Sequence, residues 1–506
     1  WRQPQPSLPS LCIILSNFFE INKYRVTFFF AVFLMLYGII FEKFLRRKIQ
    51  WFFAMFTVLF GTVILFCAQP VRNSWDEANH FAAAYRLASG RTVQWTEATD
   101  FLVEAQSLEC NTKAEFAQLR HLMDEKGRIV ISEETGGNIG GWRNLISYLP
   151  MALFLKAGMM IGLPFSELYL FGKIGNLLFY IIAMFWAIRL AKRKKLFLAF
   201  IAMMPTSIFL AASYTYDSVG FALIVLGSVL WGNEMFCPEG IGSKKNIVAA
   251  LLLLTAGSLS KLVYLPLALG IVPLPQCCKF IKRNGKLCKI VGAGIAAVVL
   301  VTVLFVACSG AMAKILNFAD IRGGDTNIVA QMWSMVTHPW ESIRLFVSNM
   351  LQMDNFRNTG SPSMDQFFVG NLMFLNYHQW GVMDDKWSLL LVPMLVILFL
   401  YRDEAEREKR EIVPWKRVVL ILCVLSTVFL IWLVMYLAFT PVGDNRIIGV
   451  QPRYYLPVLY FAALLFRNRK VYLEAQYDGM ANMTMAAAFV LEGVSIYGFA
   501  LTGRLF

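Results

Sequence analysis

The sequence predicts an all-α, polytopic integral membrane protein of about twelve transmembrane helices. Three observations predict it. Of 506 residues, 58% are hydrophobic and 16% charged, against roughly 45–50% and about 25% in soluble domains; the mean hydropathy is +0.56. The apolar residues fall in continuous runs of about 20, the length that crosses a bilayer core, and not in the short alternating segments of a membrane barrel. The 47 Lys and Arg exceed the 33 Asp and Glu, giving +14, and more than half of those basic residues sit in six short clusters, each beside an apolar run. Cytoplasmic loops of membrane proteins collect such charge, so no nucleic-acid partner is expected. A soluble multidomain enzyme, a disordered chain, a fibrous repeat and a small disulfide scaffold are all excluded.

The candidate spans, in order, are 24–42, 50–68, 167–190, 196–214, 217–236, the split pair 246–259 and 261–275, then 289–308, 387–401, 417–439, 453–466 and 479–500. With all six basic clusters on the cytoplasmic side, the helices alternate without conflict and the N-terminus lies outside. Three loops then face outward: 69–166, 309–386 and the short 440–452. Residues 145–163 are apolar enough to span, but a span there would place Arg189 to Lys195 outside; they are read as a helix lying on the outer membrane face. The split pair is interrupted by Gly257-Ser258-Leu259-Ser260-Lys261. Free backbone inside a membrane is tolerated only against protein or a wet cavity, so Lys261 is expected to line something. Four segments follow: 1–48 with one extra helix, 49–308 as a transmembrane core carrying the external loop 69–166, 309–386 as a second external region, and 387–506 with the C-terminal helices. No cleavable signal is evident.

Nine cysteines give no disulfide or zinc framework, because no spaced Cys/His sets occur. Cys110 is expected outside and Cys277 and Cys278 inside. The cytoplasmic loops carry no phosphate-binding glycine loop and no nucleotide motif, which argues against an ATP-driven pump.

The chemistry is therefore sought on the external loops. Trp75-Asp76-Glu77-Ala78-Asn79-His80-Phe81 opens the first one a few residues past a spanning helix. Two carboxylates beside a bilayer are costly unless solvated or used. If the stretch is helical, Asp76 and His80 share a face. The pair either accepts a proton from an acceptor hydroxyl, or holds a divalent cation (Mg or Mn) with Asp76, Glu77 and His80 as ligands, or simply forms the acidic first turn of a helix capped by Ser74. Ser213-Tyr214-Thr215-Tyr216-Asp217 is a polar turn between helices; Asp217 either caps the next helix or joins the site with Tyr216. Gln451-Pro452-Arg453-Tyr454-Tyr455 opens a helix from outside. Arg453 and Tyr454 are either interfacial anchors or, with Gln451, a grip on a lipid phosphate. Lys173 and Lys261 are the further cations read as converging on that anionic head group.

This order of features resembles the GT-C superfamily of membrane glycosyltransferases: a spanning helix, an Asp-Glu pair just outside it, interfacial helices, a helix ending in a basic cluster, and a helix ending in the external Tyr214-Thr215-Tyr216-Asp217. Within it, Trp75 to Phe81 with Tyr85-Arg86-Leu87-Ala88-Ser89-Gly90, Gly381-Val382-Met383-Asp384, and Gln451 to Pro457 resemble a bacterial family of uncharacterised, glycosyltransferase-like membrane proteins. The resemblance covers about 50–466; the helix at 24–42 departs from the pattern. It implies a GT-C-like fold with interfacial helices in the first long external loop, in the bacterial cytoplasmic membrane. It also implies transfer of a hexose or pentose from a polyprenyl-phosphate carrier to a glycan, glycopolymer or lipid acceptor on the external face. By that resemblance Asp76 is the catalytic carboxylate, Glu77 its neighbour or substitute, and Asp217 a second acidic residue. A lipid phosphate is a fair leaving group, so a base on the acceptor hydroxyl and stabilisation of the phosphate suffice; the expected reaction is a single, inverting displacement. A polysaccharide polymerase or ligase using polyprenyl-linked sugars, or a flippase or transporter of such lipids, are the alternatives. A transporter is expected to carry polar residues near mid-membrane, where Lys173 and Lys261 are the main exceptions to an apolar sequence.

Overall fold

The computed structural model describes residues 48–67, 74, 77–90, 113–126, 144–237, 242–275, 277, 278, 283, 285, 326–351, 388–402, 412–447, 449–466 and 472–496. Among them the protein is helical, with one isolated bridge, Tyr401 to Leu473, and no strand. The described residues fall in two compact units. One is drawn from Trp1–Leu226, Leu372–Arg407 and Asn468–Phe506, the other from Gly227–Asn371 and Glu408–Arg467. Each thus gathers segments far apart in the chain and cuts across the four segments drawn from the sequence.

The first unit contains α1 (Ile49–Cys67), α2 (Glu77–Ser89), α3 (Lys113–Lys126), α4 (Leu145–Ile161), α5 (Phe165–Leu190), α6 (Lys195–Ala202), α7 (Pro205–Ala211) and the start of α8 (Asp217–Met235). α4 packs along α5 and α2. Close approach needs small residues: a Cβ on Gly175 would strike the Pro150 carbonyl of α4. α4 ends at Gly162 in the left-handed region (φ 74°), and the Leu163 N–H donates to the Gly158 carbonyl at 3.1 Å, the bond that closes a helix end around such a glycine. One face of α4 is buried on Tyr148, Met151, Ala152 and Leu155, while Leu149, Leu153, Met160 and Ile161 stay exposed. α3 docks on the start of α5: Asp124 accepts from the Ser166 N–H (2.7 Å) and hydroxyl (3.1 Å), a carboxylate placed where the helix exposes unpaired N–H groups.

The segment 196–214, expected as one span, is two helices broken at Met203-Met204-Pro205. Pro205 has no N–H to continue the ladder and pushes the residue before it out of the helical region; Met204 is extended (ψ 144°). The break lies entirely within protein, and side chains satisfy it: Tyr180 Oη donates to the Ala202 carbonyl (2.9 Å) and Ser207 Oγ to the Ile201 carbonyl (2.8 Å). Lys194, one of the basic cluster expected at the cytoplasmic side, is buried. It takes a left-handed φ of 53° and donates to the carbonyls of Phe399 and Tyr401 at the end of α12 (Ser388–Leu400), where a cation meets the negative helix terminus.

The second unit contains α9 (Lys244–Ser258), a 3-10 helix at Leu262–Ile271, α10 (Ile328–Thr337), α11 (Pro339–Leu351), α13 (Pro414–Phe439), a 3-10 turn at Pro452–Tyr455 and α14 (Leu456–Leu465). The interruption expected near 257–261 falls between α9 and the 3-10 helix, with Lys261 extended (φ −135°). Trp231, from the last part of α8, stacks on Phe461 at 4.3 Å and donates to the Gly270 carbonyl at 2.7 Å. Glu234 accepts from the Ser243 N–H and the Asn246 amide, and so caps α9. α10 and α11 lie in the region expected as a second external loop. They are tied to the end of α13 through Gln331 Nε2 on the Thr440 carbonyl (2.6 Å) and through Asn349 on Asn445 and Ile447.

Among the described residues, four helices are long and apolar enough to cross a membrane: α1, α5, α8 and α13. The expected spans 24–42 and 289–308 lie outside the described residues, as do the motif 381–384 and Cys110. Around 387–401 and 453–466 the helices are short: α12 has 13 residues and α14 has 10, well under the 30 Å of a bilayer core at 1.5 Å per residue. α15 (Tyr477–Ile496) belongs to the first unit and overlaps the expected 479–500.

Candidate functional site

Two polar clusters hold the residues singled out from the sequence, one in each unit. In the first unit α2 begins at Glu77, whose N–H donates to the Ser74 carbonyl at 3.4 Å. Ser74 does not cap α2 with its side chain. Its hydroxyl donates instead to the Tyr214 carbonyl (3.3 Å), 140 residues away. Glu77 is fully buried, and Oε1 accepts from Lys173 Nζ at 2.9 Å and from the Tyr214 N–H at 3.1 Å. The Tyr214 hydroxyl donates to the Tyr169 carbonyl at 2.7 Å, and the Tyr169 and Tyr214 rings stand 4.9 Å apart. Gly172 makes room for this: any Cβ there would fall on the Tyr214 hydroxyl. Asn176 donates to the Leu210 and Ser213 carbonyls and accepts from the Ser218 hydroxyl. The Asp217 N–H donates to Thr215 Oγ1 at 3.1 Å, which starts α8. The polar turn 213–217 is thus fixed from every side by side chains of α2 and α5.

The structure therefore brings the first-loop motif and the 213–217 turn together, as sites separated in sequence by well over a hundred residues. It also redistributes their roles. Lys173, expected to help hold a lipid phosphate, is 3% exposed and carries the Glu77 carboxylate. Glu77, expected beside the base or as a metal ligand, is committed to Lys173 and to the Tyr214 amide. A buried carboxylate needs such partners, since an uncompensated charge away from water is very costly. Asp76, the residue before α2, lies outside the described residues.

His80 is half-buried on the same helix. Its Nδ1 is 2.6 Å from Tyr148 Oη of α4, and its ring meets Tyr216 edge-on at 4.8 Å. Tyr216 and Asp217 are half-buried at the start of α8. His80, Tyr148 and Tyr216 thus meet one another beside the start of α8, where Asp217 stands. Among the described residues no three His, Cys, Asp or Glu side chains gather to hold a metal.

In the second unit, Lys261 Nζ stands 3.9 Å from the centre of the Tyr454 ring and the Arg453 guanidinium 5.4 Å from it. Cations over an aromatic face are held by its quadrupole, so one tyrosine positions two positive charges. Tyr264 Oη donates to the Tyr454 carbonyl (2.8 Å), the Tyr454 N–H donates to the Gln451 carbonyl (2.9 Å), and Trp432 Nε1 donates to Tyr455 Oη (2.7 Å). Gln451 and Arg453 are buried. Lys261 and Arg453 meet at Tyr454, beside Gln451, whereas Lys173, which the sequence reading grouped with them, pairs with Glu77 in the first unit. The interrupted helix is what allows the Lys261 contact: with Lys261 extended, its side chain leaves the helical column and reaches the 452–455 turn.

The sequence reading passed over Tyr148, Tyr169, Asn176, Tyr264 and Trp432, whose types are common in apolar helices, and one charged residue as well. Glu492 sits in the apolar stretch 479–500, fully buried; a lone carboxylate in such a run was its signal.

The helical architecture with four membrane-length apolar helices makes this an integral membrane protein of the α-helical class. More narrowly, the chain belongs to the DUF2142 family of predicted membrane proteins, whose pattern matches residues 58–462. That match takes in both polar clusters and stops short of Glu492. No curated protein and no solved structure matches the chain.

Proposed function

We propose that the protein is a membrane glycosyltransferase of the GT-C kind. It moves a sugar from a polyprenyl-phosphate carrier to a glycan, glycopolymer or lipid acceptor on the external face of the bacterial cytoplasmic membrane, by inversion. The observation that carries the reading is the pair Lys261 and Arg453 on Tyr454. Two cations beside an apolar 3-10 helix offer a lipid-borne phosphate a counter-charge and an apolar neighbour at once. In this reading they take up the charge that develops on the phosphate as the anomeric carbon–oxygen bond breaks. The base is assigned to Asp76 on the sequence resemblance alone: it accepts the acceptor hydroxyl's proton as that oxygen attacks. Lys173 and Glu77 keep the α2 start and the 213–217 turn in place. The full set of about twelve spans, with the N-terminus outside, completes the proposal.

The lipid extract of a strain lacking the gene tests the activity: a polyprenyl-phosphate sugar should accumulate. If none does and a lipid-linked oligosaccharide builds up in the inner leaflet, the second reading, a flippase or transporter, replaces this one. The observation favouring that reading is Glu492, a buried carboxylate in an apolar helix of the kind found along ion pathways.

Arg453→Lys tests the phosphate site directly. Arg meets a phosphate with two parallel N–H donors and Lys with one point charge. The variant is expected to bind carrier lipid about tenfold more weakly, equivalent to one charge-assisted hydrogen bond of about 1.5 kcal/mol. Unchanged binding by the purified variant makes Arg453 an interfacial anchor.

A membrane-impermeant thiol reagent tests the topology. In intact cells it should modify Cys110 and spare Cys277 and Cys278. Burial, with Cys278 next to it, pushes the Cys277 thiol up from its ordinary value, and only the thiolate reacts. The control on opened membranes therefore shows Cys277 reacting faster as pH rises from about 7 to about 9. Modification of Cys277 in intact cells overturns the assignment of sides.

A further inference from the structure

α15 turns one face to the core of the first unit, carrying Ala481, Met485, Ala488, Phe489, Glu492 and Ser495, all buried. Phe489 packs into the Phe52, Phe56 and Phe60 rings of α1 at 5.1–5.9 Å. One turn further on, Glu492 is fully buried, and among the described residues neither carboxyl oxygen has a hydrogen-bond partner. Among the described residues, the helices packed most closely on α15 are α1, α6, α7 and α12. Their sequences contain one charged residue between them, Lys195 at the start of α6, which donates to the Arg189 carbonyl. On α15 itself the only other charged residue is Asp478, near the opposite end.

Glu77 shows what this protein does with a buried carboxylate: it supplies an ammonium and a backbone N–H. At Glu492 it supplies neither. A carboxylate in that position would lose its hydration for nothing, whereas a neutral acid loses far less. A metal ion would need several further oxygen ligands, and no acidic group of three forms among the described residues. We propose that Glu492 is a proton-binding site: the packed state of α15 holds it as the carboxylic acid, and the proton leaves only when this face of α15 opens to water.

Two measurements on the purified full-length protein test this. The first uses dicyclohexylcarbodiimide, an apolar reagent. The acid's oxygen bonds to the carbodiimide carbon and its proton passes to a nitrogen; the adduct rearranges to a stable N-acylurea with nothing released. Peptide mass mapping should find the adduct on Glu492 to the same extent at pH 6 and pH 8, while surface carboxylates, ionised at both, stay unmodified. A water-soluble carbodiimide should leave Glu492 untouched, and Glu492→Gln should remove the adduct.

The second is unfolding in detergent from pH 5 to pH 8, with Glu492→Gln as the reference, since its amide has the shape of the neutral acid. Above about pH 4.3 an unfolded glutamate is ionised. If the folded chain keeps that proton, wild-type stability must fall relative to the variant as pH rises, by up to tenfold in the unfolding constant per pH unit. A difference that stays flat across this range, or rises, overturns the proposal, as does modification of Glu492 by the water-soluble reagent at the rate of the apolar one.

Discussion

Glu77→Ala is expected to lower the unfolding free energy by about 3–5 kcal/mol, because it leaves the Lys173 ammonium buried without its carboxylate. Both side chains are sealed from solvent and 2.9 Å apart, so little of the effect is screened. Lys173→Met should cost a similar amount by stranding the carboxylate. The double variant Glu77→Leu with Lys173→Met should recover much of the loss, since a buried ion pair replaced by apolar groups of similar size is often close to neutral. Thermal and denaturant unfolding in detergent gives the cycle. Should the double variant be as unstable as the sum of the singles, the pair is not the unit that holds α2 to α5. Part of the loss will remain even in the double variant, because the Tyr214 N–H also relies on the Glu77 oxygen. A buried backbone donor left without a partner costs about 1–3 kcal/mol.

Asp76→Asn is the complementary experiment, with its effect on turnover and not on stability. Under the proposed mechanism the amide keeps the shape and hydrogen bonding of the carboxylate but cannot accept the proton. Sugar transfer should fall by about a hundredfold or more, with melting temperature and carrier-lipid binding unchanged. Glu77→Gln should show the reverse: a lower melting temperature, and a loss of turnover that tracks the loss of fold. Chelation with EDTA should leave wild-type turnover intact. Full activity in Asp76→Asn would remove the mechanism, whereas a loss in Asp76→Asn at unchanged stability, with folded Glu77→Gln still active, would confirm Asp76 as the carboxylate in the reaction.

Where the sequence reading and the structure part, the reason lies in partners. The expected span at 196–214 carries its own breaker, Pro205, but whether a proline kinks or divides an apolar helix depends on who takes the freed carbonyls. Here Tyr180 and Ser207 do, from a helix upstream and from the next turn. Lys194 reads as one more residue of a basic cluster; the structure spends its charge on the end of α12, some two hundred residues on. Glu77 and Asp76 look equivalent in the sequence, being adjacent acids at a helix start. Only the position of Lys173 and of the Tyr214 amide singles out Glu77 for a structural role.

By itself, the sequence determined that this is a helical membrane protein. It also located α1, α5, α8 and α13, the interruption before Lys261, and the charged residues of the two clusters, though not Tyr148, Tyr169, Asn176, Tyr264 or Trp432 beside them. These are local properties: apolar run length, breaker residues and charge against an apolar background need no tertiary partner to be read. The tertiary structure alone decided which charges meet. It put Lys173 on Glu77, two cations on Tyr454, and nothing on Glu492, because ion pairing and desolvation depend on distances across the fold that no spacing along the chain encodes.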